Sequence, residues 1–478
     1  MGTIGVIKKF IESNWVIEKA AREVLERLPM RFRYGISYGP IFRYWLGFLR
    51  ESEKWESDRL KAYQIEQLRD LLIHSGRNVP YYKRVFSEYG FNPEKFQDLA
   101  DIKAIPYLDR VTIKKKHSEF IAENVARQRL IPTATSGTTG IPLLVYGTKE
   151  TEEKHWATIV DLWGRIGFRP GSRTIFLEAN IKEGKRNGLP WKRYGSKLIL
   201  SSNFFEPQWI DKFVAMINRF KPEYLVGFPH TIAAFSSYAK SLQKSFDKRL
   251  KGIIVYAENV YPWQRDIIEE VFRARVFSDY GQVEKVIHGG GCEHSDSYHI
   301  YPQYGFTEYA PLQGGLYELA GTGLINYAMP FIRYKTEDVC ENPATACPDC
   351  GRSYNVIPDL QGRGGDFLVN ADRQIVSVYL DAHGGALQKV ERFQLYQDYP
   401  GKVELRVWPD KNYREGDERS VLREVRRCLG PSGDTMEFSV ELIPDRHLES
   451  SGKYRMVDQR LDIKDFLTKY GNRSHSTA

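Results

Sequence analysis

At 478 residues the chain is long enough for two or three domains, each with a sizeable core. Hydrophobic residues make up 42% and charged residues 27%, an ordinary globular balance that excludes a disordered chain. The net charge of +8 suits an anionic substrate, but 69 Lys and Arg are interspersed with 61 Asp and Glu, which argues against a nucleic-acid partner.

Near the N-terminus, Ile7, Phe10, Ile17, Ala21, Val24 and Leu28 fall on one face of a helix over residues 4–28, which Pro29 ends. With charges recurring from Lys8 onward, no cleavable signal is expected, and Val6 stands where a myristoylation site needs Ser or Thr. No window holds the roughly 18 apolar residues of a bilayer span, so the expected compartment is the cytoplasm. Aromatic residues then crowd "YGPIFRYWLGFL", which predicts packing against the body of the protein. The basic and aromatic mixture there also fits a peripheral membrane contact through the N-terminal region. A helix is predicted over 63–76, stopping at Ser75-Gly76.

The stretch "TATSGTTGIPLLVYG" (133–147) places Thr135, Ser136, Gly137, Thr138, Thr139 and Gly140 in one loop ahead of a strand. Backbone N–H groups and hydroxyls in such a loop can converge on a phosphate, although a plain hairpin fits the residues equally well. It is not a Walker loop, because no Lys follows and no helix does. From residue 172 the pattern becomes α/β: strands at 173–179, "EYLVGFP", "GIIVYAE" and "RVFSDYG" alternate with helices at 208–220, "TIAAFSSYAKSL" and "PWQRDIIEEVF". That rhythm predicts a parallel sheet covered by helices, with any ligand at the carboxyl ends of its strands. After a glycine-rich hinge at 361–369, a strand (402–408), a helix (418–429) and a strand (436–443) predict a small α+β domain.

Five motifs follow in order: "TSGTTGIP" (135–142), "YGQVE" (280–284), "RYKTED" (333–338), "GRGGD" (362–366) and "SSGKYR" (450–455). This succession resembles the adenylate-forming superfamily. Together with "YQIEQLRDLL", "NVPYYKRVF", "KPEYLVGFP" and "CPDCGR", it is most similar to the phenylacetate–CoA ligase family and its capsular-polysaccharide branch. The resemblance spans roughly residues 60–460. It implies an α/β fold with a large N-terminal adenylate-forming domain over 1–362, whose first 60 residues are a helical extension. A small mobile α+β domain would occupy 363–478.

The resemblance also implies roles. Thr135 to Gly140 would wrap the outer phosphates of ATP, Tyr280 and Gly281 would carry the adenine, and Ala257, Glu258 and Asn259 would lie at the purine edge. Glu284 would hold magnesium. Asp338, assisted by Arg363, would bind the ribose hydroxyls. Asp366 would be the hinge, and Lys453 would reach in from the small domain as the catalytic cation. The implied reaction activates a carboxylic acid as its acyl-adenylate and transfers the acyl group to a CoA thiol or an amine. Phe228, Pro229, His230 and Tyr256 suit a wall for an aromatic or medium-sized acyl group. Two departures stand out: the loop has Ile141-Pro142-Leu143 where the family often has a lysine, and the CoA-channel turn is replaced by a stretch containing "HGG" (383–385). The second leaves CoA as acceptor open, while the lysine-free loop and the odd "AENV" segment (257–260) support an alternative reading as a non-catalytic descendant that binds nucleotide or a partner.

The five cysteines are too few and too clustered for a secreted disulfide scaffold. Cys347 and Cys350 form a "CPDCG" knuckle that offers two thiolates to one metal, and Cys292 lies upstream with His299 or His294. Similarity to related chains favours Cys292, His299, Cys347 and Cys350 as a closed, structural zinc set. His288, His294 and Cys340 are then expected to pack or to face solvent.

Overall fold

The computed structural model describes residues 39–134, 143–178, 190–204, 207–247, 249–258, 260, 262–312, 316–341, 343–361, 367–373, 375–378, 390–409, 413–414, 416–429, 433–443 and 457–461. The helix expected over 4–28, Thr135 to Gly140, Asn259, Arg363, Asp366 and Lys453 all lie outside the described residues.

Helix α1 (Pro40–Ser52) begins on a proline, whose fixed φ and missing N–H suit a first helical turn. Its buried residues Phe42, Trp45 and Leu49 form one face. Helix α2 (Ser57–Asn78) runs past the expected stop at Ser75-Gly76, because the break comes instead from extended Val79 ahead of Pro80. Helix α3 (Pro80–Glu88) follows directly. Short α4 (Arg110–Lys115) is capped by Asp109, whose Oδ1 accepts from Thr112 N at 2.6 Å. Strands β1 (Ile131–Ala134) and β2 (Leu144–Gly147) pair antiparallel on either side of the Ser/Thr/Gly loop. Helix α5 (Lys149–Gly164) packs against α1, and Trp45 Nε1 donates to Thr158 Oγ1 at 3.1 Å. The aromatic stretch of α1 is therefore largely packed, with Tyr44 turned outward.

The α/β rhythm appears as expected in β3 (Thr174–Glu178), α6 (Pro207–Phe220), β6 (Tyr224–Gly227), α7 (Pro229–Ser241), β7 (Gly252–Tyr256), α8 (Pro262–Phe272) and β8 (Val276–Gly281), while the antiparallel pair β4 (Trp191–Tyr194) and β5 (Lys197–Ser201) ahead of α6 is not among the predicted strands. Strands β5, β3, β6, β7 and β8 run parallel. One face buries Ile175, Ile253 and Val255 with Phe213, Phe235 and Phe272 from α6, α7 and α8. The other buries Val226, Ile254 and Phe277 with residues of α1 and α5.

Beyond β8 the chain turns back in antiparallel pairs that the sequence reading did not anticipate. Strands β9 (His288–Gly290) and β10 (Tyr298–Ile300) extend the sheet. Strands β11 (Gly305–Pro311), β12 (Leu316–Gly323) and β13 (Tyr334–Glu341) form a second sheet. Strand β14 (Asn355–Ile357) returns to pair with β10, and β15 (Asp359–Gln361) pairs with β13. Gly290 permits the close approach here, since a Cβ on it would collide with the Ser278 carbonyl.

The C-terminal region is α+β, as expected. Strands β16 (Phe367–Val369) and β17 (Ile375–Ser377) pair with each other. Strands β18 (Val390–Tyr399), β19 (Lys402–Pro409), β20 (Glu437–Leu442) and β21 (Val457–Gln459) form a sheet in the order β20-β19-β18-β21. Helix α9 (Asp417–Leu429) buries Val421, Val425 and Leu429 in the same core as Phe393 and Leu405.

Candidate functional site

The carboxyl end of β8 delivers Tyr280 and Gly281, and the turn after it delivers Gln282 and Glu284. Strand β13, from the second sheet, brings Tyr334 and Asp338 to the same place. The Tyr280 hydroxyl donates to Asp338 Oδ2 at 2.7 Å and accepts from Gln282 Nε2 at 2.6 Å. Burial, and then the Asp338 carboxylate, push the Tyr280 phenol far above its ordinary value, so it remains a donor. The ring and the carboxylate are thus fixed relative to one another before any ligand arrives.

Glu284 is almost buried, and Tyr334 Oη donates to its Oε1 at 2.8 Å. Arg110 of α4, itself nearly buried, reaches the same Oε1 at 3.6 Å. The second oxygen, Oε2, accepts no hydrogen bond among the described residues. A magnesium ion fits this carboxylate through Oε2, with its remaining positions left to water and substrate oxygens. Lys114, one turn along α4, is pushed down to about 8 by burial and by Arg110. A half-buried ammonium beside a guanidinium is a place that favours an anion.

Backbone strain marks the same neighbourhood. Ala257 (φ 65), just past β7, Lys285 (φ 55), just past Glu284, and Glu337 (φ 65), just before Asp338, all hold left-handed conformations without being glycine. Each costs of order 1 kcal/mol, a cost that persists where the surrounding structure demands the geometry. Phe228 and Tyr256 lie close to these ends with ring centroids 5.1 Å apart. Tyr280, Gly281, Glu284, Ala257 and Glu258 therefore lie at the ends of the parallel strands or in the turns next to them, and Asp338 meets Tyr280 from within β13. Sequence reasoning missed Arg110, Tyr334 and Gln282. Tyr334 and Gln282 sit inside quoted motifs and could have been found there; nothing local marks Arg110.

The second constellation is the thiolate set. Cys292, His299, Cys347 and Cys350 place their ligand atoms within 4.8 Å of one another. Cys292 follows β9, His299 sits in β10, and the other two lie in the loop between β13 and β14. His299 Nδ1 is 2.9 Å from the Ser297 carbonyl, which fixes a proton on Nδ1 and frees Nε2, 3.3 Å from Cys350 Sγ. Burial, then Arg165, hold His299 down at about 4, so the imidazole is neutral at neutral pH. Cys292 Sγ accepts from the N–H groups of His294 and Ser295, at 3.4 and 3.1 Å. His294 thus contributes its backbone, and its exposed ring is not part of the set. Burial opposes ionisation of Cys350, but hydrogen bonds from Arg352 outweigh it and hold the thiol below its ordinary value. Three thiolates and one imidazole, with N–H donors and a guanidinium beside them, fit one tetrahedral zinc ion in a closed structural site. His288 and Cys340 are buried, and neither joins this set.

A helix-covered sheet followed by a small α+β region is the fold of the adenylate-forming ligases. A crystal structure of 2-hydroxyisobutyryl-CoA ligase, with 2-HIB-AMP and CoA, has this fold at a TM-score of 0.58, with 18% identity over 85% of this chain and 91% of that one. Residues 368–460 match the CapK C-terminal domain. A phenylacetate-coenzyme A ligase of Thermus thermophilus is 28% identical over 347 residues, covering 67% of this chain and 74% of the relative. Protein CapK of Staphylococcus aureus is 22% identical over 328 residues, covering 67% and 72%. Over about two thirds of its length the chain is thus similar to phenylacetate-coenzyme A ligases, and its C-terminal part is similar to the CapK C-terminal domain. No helix among the described residues is long and apolar enough to cross a membrane.

Proposed function

We propose that this protein is an AMP-forming carboxylate ligase. The observation that carries the reading is the pairing of Tyr280 with Asp338, beside Glu284, at the carboxyl ends of the parallel strands. A carboxylate oxygen of the acid attacks the α-phosphorus of ATP, the bond to the β-phosphate oxygen breaks, and pyrophosphate leaves. A thiol or amine then attacks the acyl carbon, the bond to AMP breaks, and the acceptor's proton is released.

The first step brings one anion to another, so charge neutralisation is its main requirement. Magnesium, held through Glu284, would lower the phosphate charge. Arg110, 3.6 Å from Glu284, brings the positive charge that the lysine-free loop lacks, and Lys114 lies beside Arg110. Lys453 would complete the set from the C-terminal domain, which turns about Asp366 to admit the acceptor. We read the domain boundary at 362–363. CoA is supported as acceptor by the names of the relatives, an amine by the replaced CoA-channel turn. The capsular branch makes a sugar or amino acid of a surface polysaccharide the natural amine.

ATP–pyrophosphate exchange across a panel of acids tests activation. Lys453→Ala should abolish exchange while sparing acyl transfer from preformed adenylate. Undiminished exchange in that variant overturns the mechanism.

A further inference from the structure

On the α5 face of the large sheet, Val226, Ile254 and Phe277 lie level across β6, β7 and β8 and form an apolar layer. The next layer toward the carboxyl ends holds Tyr256 and Asp279, which are register partners. At that level the chemistry changes from hydrocarbon to polar. Asp279 Oδ2 accepts from Trp163 Nε1 of α5 at 2.7 Å, and Oδ1 lies 3.6 Å from His288 Nε2.

His288 opens β9, directly opposite Gly281. It is 2% exposed, yet neither ring nitrogen has a hydrogen-bond partner. None of its neighbours bonds to it: Tyr304 Oη and His155 Nδ1 are bonded to each other at 2.9 Å, Tyr301 Oη donates to Asp161 at 2.9 Å, and Asp279 Oδ1 stands 3.6 Å from Nε2, just beyond bonding distance. A position that needed only filling would hold Leu or Met, because an imidazole with two unmet nitrogens is costly away from water. Gly281, by contrast, is exposed, and a Cβ there would stand 2.7 Å from His288 Nδ1. Any larger residue would close the approach to the ring from the strand ends.

We propose that Asp279 and His288 are specificity-determining residues of the acid pocket, and that the acid bears an uncharged hydrogen-bonding substituent, a hydroxyl or primary amide, remote from its carboxylate. This rests on the ligase reading above. The adjacent rings of Phe228 and Tyr256, tilted 50° to each other, receive the apolar body of such an acid, and the polar pair receives its tip. Burial favours the uncharged forms of both groups, raising Asp279 to about 7 and lowering His288 to about 3, so a charged tip fits less well than a neutral one. A site built to bond a substrate hydroxyl rejects the analogue that lacks it, because its own groups are then left unpaired.

The test is pyrophosphate exchange with matched acids: arylacetic and short aliphatic acids, each with and without a terminal hydroxyl or primary amide. The wild type should favour the polar member by at least about tenfold in kcat/KM. His288→Leu and Asp279→Leu should each reduce that preference to about threefold or less, with the KM for ATP unchanged. A merely structural role would instead lower both members of a pair together. Equal use of both members by the wild type overturns the proposal, as does a preference that survives His288→Leu. Absence of exchange with every acid overturns the ligase reading instead. The pocket is then judged by thermal shift with the same pairs: stabilisation by the polar member alone, lost in His288→Leu, supports it, and no polar preference overturns it.

Discussion

The Tyr280 hydroxyl donates to Asp338 Oδ2 at 2.7 Å, joining the end of the parallel sheet to a strand of the second sheet. A hydrogen bond to a charged acceptor contributes about 1.5–3 kcal/mol. Tyr280→Phe keeps the ring and releases the carboxylate. It should raise the KM for ATP about tenfold, since 1.4 kcal/mol is a factor of ten, with a smaller change in kcat. Asp338→Ala removes the acceptor itself and should cost more. Exchange rates at varied ATP measure both, and an unchanged KM in Tyr280→Phe would mean that the pair only braces the fold.

Glu284 is a carboxylate with two partners on one oxygen and none on the other among the described residues. Glu284→Gln keeps the shape and removes the charge, so magnesium-dependent exchange should fall at least about a hundredfold while the fold survives. Arg110→Met has the opposite signature. It leaves a nearly buried carboxylate without its cation and should cost roughly 3 kcal/mol of stability. Urea denaturation with and without magnesium separates the two, because added magnesium should recover part of the Arg110→Met loss and none of the Glu284→Gln defect.

Asp279 makes stability depend on pH in a direction opposite to that of most carboxylates. Burial raises its folded value from 3.8 to about 7, so the folded state holds the proton more tightly than the unfolded chain. No penalty exists below the unfolded value; it grows as pH rises from about 4 to about 7, and is constant above that. Asp279→Asn preserves an acceptor for Trp163 and abolishes the titration. The variant should match the wild type near pH 4 and exceed it at pH 8 by on the order of 2–4 kcal/mol. Denaturant midpoints across that range measure the difference. A constant offset at every pH would show that Asp279 does not titrate in this window.

The elements visible in the sequence are those whose residues declare themselves locally. Helix α6 shows Ile210, Phe213, Val214 and Ile217 at helical spacing, and β7 is a continuous apolar run. Strands β9, β10 and β14 are three residues each, too short to show alternation, and they exist through pairing with distant segments. The candidate site divides in the same way. Tyr280, Glu284 and Asp338 were visible because each sits in a motif whose order carries information. Arg110 was not, because a lone arginine on a six-residue helix gives no sign of its partner. His288, expected to pack or to face solvent, is buried, and only its surroundings reveal that both nitrogens lack partners.

The cysteine knuckle yields the most direct measurement. Gathering Cys292, Cys347 and Cys350 around His299 within 4.8 Å brings three thiols together, an arrangement that favours oxidation when empty and is held together when they share a cation. Purified protein should contain about one zinc per chain, and Cys347→Ala should lose it. Cobalt substitution should give a thiolate-to-metal absorption band that Cys347→Ala lacks. Because β10 pairs with both β9 and β14, metal removal frees the edge of the sheet beside Tyr280 and Glu284. Chelation should therefore lower the melting temperature and slow exchange together, and added zinc should restore both. Loss of zinc with unchanged stability and exchange would make the site dispensable to this fold.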